Sequence, residues 1–237
     1  MAFYSDFAGH YETVFPFRTG TAAFLQKWLP DKGRVLDVGC GTGAYTRHLK
    51  TVGRHGMGVD LDPGMIAQAQ QADPGGDYRI MGMEDLEHLE AGSFSGIFCI
   101  GNVLPHLPAE QVATFLGHVH RLLEPQGRWL LQTVNFDPLL ERTRYDFPVI
   151  GDQVKGIAFH RSYRDIVPGR LEFATSLEVA GEVVFQASTT LYPRTSGDYR
   201  SAHTAAGFKP LVHVADWSER RFLPGTNSGS IFVWERP

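Results

Sequence analysis

The chain is 237 residues long, enough for one sizeable α/β domain and short for two independent ones. Hydrophobic residues make up 43% and charged residues 20%, the balance expected of a soluble globular protein. The formal net charge of −4, with no dense Lys/Arg run, argues against a nucleic-acid partner, which would need a basic footprint. Two cysteines, Cys40 and Cys99, make neither a disulfide framework nor a Cys-x-x-Cys metal pair, so a reducing compartment and no metal are expected. The first residues lack a charged stretch leading into an apolar core, and no apolar run reaches membrane-spanning length. A cytoplasmic protein with no membrane partner is the expectation.

In chain order, residues 1–30 carry apolar side chains at roughly helical spacing, from Phe3, Phe7, Tyr11 and Phe15 to Phe24, Leu25 and Leu29. Pro16 interrupts them and Pro30 closes them, which predicts two short helices forming a cap. Strands are expected over 34–38, 56–60, 78–81, 97–100 and 129–134, with helices over 44–51, 63–72 and 109–123 between them. Such alternation predicts a parallel sheet wrapped on both faces, a cofactor-binding core over 31–136. The rhythm then changes. Runs at 159–165, 170–179 and 183–192, divided by the turn signals Val167-Pro168-Gly169 and Ala180-Gly181, predict an antiparallel meander inserted over 137–193. Residues 194–237 supply a helix ending at Gly207 and two last strands, 209–214 and 229–235.

The first strand ends in Gly39-Cys40-Gly41-Thr42-Gly43 and a helix follows. Glycines let the backbone turn sharply and come close to a ligand, while the helix start presents unpaired N–H groups. Asp60 ends the second strand about 20 positions beyond the first glycine, where a carboxylate can accept from both hydroxyls of a ribose. Gly39-x-Gly41-x-x-Ala44 formally satisfies the dinucleotide fingerprint. Asp37, however, puts a negative charge where a pyrophosphate would lie and suits a cationic ligand. Gly43 also widens the turn at a position where a dinucleotide fold would tolerate a side chain.

With VLDVGCGTG (35–43), GVDLDPGMI (58–66), IMGMEDL (80–86) and IFCIGNVLPHL (97–107) in this order, the sequence resembles the class I S-adenosylmethionine-dependent methyltransferase superfamily. The resemblance implies a doubly wound, mostly parallel Rossmann-like sheet of order 3-2-1-4-5-7-6 with the last strand antiparallel. It implies S-adenosylmethionine as cofactor. Gly39, Cys40 and Gly41 would contact the methionyl part through backbone atoms and Asp60 the ribose, with Asp37 and Gly43 also among the cofactor-binding residues. Leu61 would pack on the adenine, with Met83 and Glu84 at its edge. Many relatives carry an aspartate where this chain has Gly82. Tyr11 resembles the N-terminal tyrosine that folds over the cofactor in many relatives; a core aromatic on an amphipathic helix is the other reading.

The stretch Ile100-Gly101-Asn102 to His106 follows the fourth strand, beside the switch point of such a sheet. It looks like the Gly-Asn-x-x-x-His segment of glycine N-methyltransferase-like enzymes, which would put Ile100 and Asn102 against the methionyl group and Asn102 and His106 near the transferred methyl. It lacks the Asp/Asn-Pro-Pro-Tyr/Phe signature of enzymes that methylate exocyclic amines of bases or glutamine side chains. His106 reads either as a general base or as a residue holding the cofactor, the latter favoured because amine methylation needs little base catalysis. In the meander, alternation would put Arg161 and Tyr163 on one face and His160, Ser162 and Arg164 on the other. Arg161, Tyr163 and Arg164 are candidate acceptor-binding residues. A solvated sheet face or a homodimer surface is the alternative for this sheet. The expected function is methyl transfer to nitrogen or oxygen of a small-molecule acceptor. Alternatives are a protein or RNA methyltransferase, or a nucleotide-binding module without catalysis.

Overall fold

A computed structural model describes residues 5–152 and 154–237, with the side chains of residues 5, 6 and 8 left aside. Phe3, the first apolar position of the expected cap, lies outside the described residues. A 3-10 turn over Ser5–His10 leads into helix α1 (Tyr11–Val14), and α2 (Thr19–Trp28) follows beyond Pro16. Strand β1 (Arg34–Val38) then begins an alternation with α3 (Ala44–Thr51), β2 (His55–Asp60), α4 (Pro63–Ala72), β3 (Asp77–Ile80), β4 (Phe94–Cys99), α5 (Val112–Leu122) and β5 (Leu123–Val134).

Local chemistry sets these boundaries. The Asp62 carboxylate caps α4 by accepting from the N–H groups of Gly64 at 2.8 Å and Met65 at 3.3 Å, with Pro63 in the first turn. In α5, Val112, Phe115, Leu116, Val119 and Leu122 form one buried stripe at helical spacing. The expected helix over 109–123 is shorter in the structure. Ala109–Gln111 is a 3-10 turn and Leu123 already belongs to β5, because its φ and ψ are extended.

The seven-stranded sheet has the order β3-β2-β1-β4-β5, continued by β12 (Gly229–Glu235) and β11 (Lys209–Val214). The first five strands are parallel, β12 is antiparallel to β5, and β11 is antiparallel to β12. That is the expected 3-2-1-4-5-7-6 order. Strand β4 is buried along its whole length, as a strand covered on both faces must be. Helix α6 (Ser196–Ala205) carries a capping box in which Thr195 and Asp198 bond reciprocally.

Between β5 and α6 stand β6 (Tyr145–Asp146), β7 (Ile150–Asp152), β8 (Ile157–Val167), β9 (Arg170–Val179) and β10 (Glu182–Leu191). The last three are the expected meander, paired β10-β9-β8, and β6 and β7 both add to β8. These two short strands had no alternation by which to read them in the sequence. The N-terminal turn packs on this sheet: Phe7 stacks on Phe159 at 4.8 Å and on Phe185 at 5.6 Å. No helix among the described residues is long and apolar enough to cross a membrane.

Candidate active site

The turn after β1 is built by glycines that no other residue could replace without strain. Gly39, Gly41 and Gly43 all have positive φ, at +76°, +53° and +73°. A Cβ at Gly39 would meet two Val103 methyls at 2.7 Å, and one at Gly43 would meet the Tyr78 ring at 2.5 Å. The N–H groups of Gly39 and Cys40 both donate to Val59 O, which anchors the turn to β2. At the end of β2, the Asp60 carboxylate accepts from Gly41 N at 2.8 Å and from Asp62 N at 2.9 Å. Burial raises the Asp60 carboxyl, and these N–H bonds oppose the shift.

Asp37 is buried within β1. Its Oδ2 accepts from Thr46 Oγ1 at 2.7 Å, while Oδ1 has no hydrogen-bond partner among the described residues. Burial pushes its carboxyl up to about 7, with Asp60 adding a smaller push and Thr46 opposing. A buried carboxylate with one unmatched oxygen, beside the glycines of the turn, is matched to a compact cationic group such as an ammonium or sulfonium. The residues present therefore fit the methionyl end of S-adenosylmethionine.

From this turn a cavity of about 370 Å³ runs toward the meander. Asp37, Gly39, Cys40 and Tyr11 line one end, Ile100, Asn102 and His106 its side, and Arg161 and Tyr163 the far wall. The Tyr11 ring lies against Gly41, 3.5 Å from where a Cβ would be. Beside it, Glu12 ties α1 to the turn by accepting from Thr42 Oγ1 at 2.9 Å and pairing with Arg47 at 3.2 Å. Asn102 has the left-handed φ of +64°. Its Oδ1 accepts from Val134 N at 2.9 Å and its Nδ2 donates to Tyr163 Oη at 3.2 Å, so it joins β5 to the meander. His106 ends a 3-10 turn over Leu104–His106, and burial lowers its imidazole to about 4, so it is neutral near pH 7. Burial likewise raises the thiols of Cys40 and Cys99, which stay protonated.

Seven candidate residues do not line this cavity: Gly41, Gly43 and Asp60 in or beside the glycine turn, and Leu61, Met83, Glu84 and Arg164. Arg164 does not join Arg161 and Tyr163: strand alternation turns it to the opposite face of β8, where it lines a polar cleft and donates to Ser162 Oγ at 3.1 Å. Leu61 is 65% exposed just beyond β2, and Glu84 is exposed in the turn after β3. With half-buried Met83, they flank the adjacent ends of β2 and β3, which Met81 N joins by donating to Asp60 O at 3.0 Å. Asp85, absent from the sequence-based candidates, accepts from Gly82 N at 2.9 Å. Among the described residues, no three His, Cys, Asp or Glu side chains group as metal ligands.

The far wall also contains Phe147, Ile150 and Phe173, which the sequence did not single out. Phe173 stands directly across from Tyr163 in the β8–β9 register, so correct strand pairing would have found it. Phe147 lies in a short stretch closed by Pro148, with no alternation to reveal its face.

A family model described as a methyltransferase domain matches residues 35–127, the span from β1 to the start of β5. Within that span the chain is therefore similar to methyltransferase domains. The chain is 33% identical over 109 residues to a ubiquinone biosynthesis O-methyltransferase of Xanthomonas oryzae pv. oryzae (strain PXO99A). That likeness covers 44% of each chain, so the chain spans less than half the length of the curated relative it matches. Its fold extends further. A methyltransferase structure from Clostridium acetobutylicum superposes with a TM-score of 0.81 over 98% of both chains, at 14% identity. The S-adenosylmethionine-bound amino pentose methyltransferase CalS10 from Micromonospora echinaspora gives 0.67 over 92% of this chain and 89% of its own, at 24% identity.

Proposed function

We propose that the protein transfers a methyl group from S-adenosylmethionine to a nitrogen or oxygen of a small-molecule acceptor. The observation that carries this reading is one continuous cavity with Asp37 and Gly39 at one end and Tyr163 at the other, passing Asn102 and His106. When bound, S-adenosylmethionine supplies an activated methyl on a sulfonium. The protein's part is then alignment, which provides much of the rate for such a transfer. Gly39 and Gly41 let the backbone approach the methionyl group, and Asp37 answers its positive charge. Asp60 takes the ribose hydroxyls while bracing Gly41, and Leu61, Met83 and Glu84 border the adenine. Asn102 holds the turn at the methyl in register with the meander, which closes over the acceptor as a lid.

A cavity of about 370 Å³ lies in the size range of small-molecule sites, which supports a small acceptor. The curated relatives are named ubiquinone biosynthesis O-methyltransferases, and the structural neighbours include the sugar N-methyltransferase KedS8, which supports an oxygen or a nitrogen as the methylated atom. Calorimetric titration with S-adenosylhomocysteine and with NAD tests the cofactor. Release of S-adenosylhomocysteine across a panel of amines, carboxylates and phenols tests the acceptor. Binding of NAD and not of S-adenosylhomocysteine would refute the proposal.

A further inference from the structure

The acceptor end of the cavity is strongly aromatic. Tyr163 makes edge contacts with Phe147 at 4.8 Å and Phe173 at 5.6 Å, and all three rings line the cavity. The central ring is fixed. Tyr163 is 1% exposed, and its hydroxyl is held by Asn102 at 3.2 Å. Tyr163 meets Phe147 at 86° and Phe173 at 65°, so the three rings form an aromatic corner whose faces and edges can take another ring by stacked or edge-to-face contact.

The charges of the cavity point the same way. The Arg161 guanidinium lies 4.8 Å from the Phe147 ring and donates to Pro148 O at 3.3 Å, bringing a permanent positive charge into the aromatic wall. Asp37 is the one acidic side chain among the described residues lining the cavity, and it stands at the opposite end, by the glycine turn. A protonated amine would meet a cation here and no carboxylate. An ionised hydroxyl would meet a favourable field, because positive neighbours stabilise the charged form of an acid. His106, a neutral imidazole, keeps one N–H with which to donate to such an oxygen.

We propose that the acceptor is a phenol bound as its phenolate, its ring against Phe147, Tyr163 and Phe173 and its oxygen toward the Asn102–His106 turn. This rests on the methyltransferase reading above. The phenol gives its proton to solvent on binding. The phenolate oxygen then forms a bond to the methyl carbon as the carbon–sulfur bond breaks, and that bond's electron pair stays on sulfur. Aryl methyl ether and S-adenosylhomocysteine are the products.

The test uses the full chain loaded with S-adenosylhomocysteine and 4-nitrophenol as probe, since only its phenolate absorbs in the visible. Below the probe's own pKa, the phenolate band grows on binding, and Arg161→Gln loses that growth. Phe173→Ala weakens probe binding about tenfold, the loss of one aromatic contact with its buried area, and leaves S-adenosylhomocysteine affinity unchanged. Binding of the probe only as neutral phenol, no binding to the loaded protein, or tighter binding of cyclohexylamine would overturn the inference. Failure of S-adenosylhomocysteine itself to bind would instead strike the proposed function, so the two claims fail separately.

Discussion

Thr46 Oγ1 donates to Asp37 Oδ2 at 2.7 Å, and this is the hydrogen bond that holds the Asp37 carboxyl in the buried floor of the cavity. Asp37 titrates near 7 when folded, against 3.8 as an ordinary carboxyl. Between those values the folded state binds more protons than the unfolded one, so the group's contribution to stability falls as pH rises from about 4 to about 7. Asp37→Asn should raise the thermal midpoint of the free protein at pH 8 and leave it nearly unchanged at pH 4. The same substitution should weaken S-adenosylhomocysteine binding, because the amide carries no charge. In the unmodified protein that binding should tighten as pH rises through about 7 and then level off. Melting curves and calorimetry at both pH values check the two halves. A destabilised Asp37→Asn at pH 8 would contradict the desolvation account.

The turn itself offers a matched pair of glycines. Gly43 and Gly53 have nearly equal φ, +73° and +79°, but a Cβ meets the Tyr78 ring only at Gly43 and open space at Gly53. Gly53→Ala should cost about 1–2 kcal/mol, the strain of a left-handed alanine. Gly43→Ala should cost about 1–3 kcal/mol more through overpacking. Equal losses in chemical denaturation would show that Tyr78 yields.

Histidines kept neutral by burial should contribute to the acid limit of the fold. His203 stacks on Trp234 at 3.6 Å, accepts from Trp129 Nε1 at 2.8 Å, and donates from Nδ1 to Tyr199 O at 2.6 Å. Burial lowers its imidazole to about 3, and those of His106 and His213 to about 4. Folded pKa values lie below the ordinary 6.5, so the unfolded chain binds more protons in this window, and stability is lost as pH falls below about 6.5. His203→Phe should flatten that acid slope. It should also cost about 1–3 kcal/mol at pH 8 by leaving the Trp129 N–H without its acceptor. An acid limb as steep as that of the parent would show that other groups dominate it.

The strap over the turn is held more lightly. Glu12 is half exposed and pairs with Arg47 at 3.2 Å and Thr42 at 2.9 Å. Glu12→Gln should change global stability by less than about 1 kcal/mol, as surface pairs do. It should speed amide exchange in residues 11–15, measured by mass spectrometry. Unaltered exchange there would place the anchoring in Phe7 and Phe15.

The order of the sheet was legible because its strands are short apolar runs divided by glycine turns, and burial on both faces leaves little choice of partner. Asp37 and Asp60 were legible for a related reason: an acid at the end of a buried strand needs a partner to justify it. The meander was legible as three strands, but the face each residue takes relative to the cavity was not. Alternation already put Arg161 and Arg164 on opposite faces, but it does not say which of the two faces meets the cavity. Phe147 and Phe173 were missed because an aromatic residue in a half-buried sheet reads equally as core or as wall. Asn102 looked chemical from its motif, yet both ends of its amide bond other parts of the chain.

The most direct measurement is calorimetric titration of S-adenosylhomocysteine into the parent protein and Asp60→Ala at pH 8. Asp60 is expected to hold the ribose and does accept from Gly41 N at 2.8 Å, so its removal loosens both ligand and turn. The parent should bind stoichiometrically, and the variant more weakly by about 1–3 kcal/mol, the loss of charged hydrogen bonds. Absence of binding by the parent at millimolar ligand would contradict the account, as would equal affinity in the two proteins.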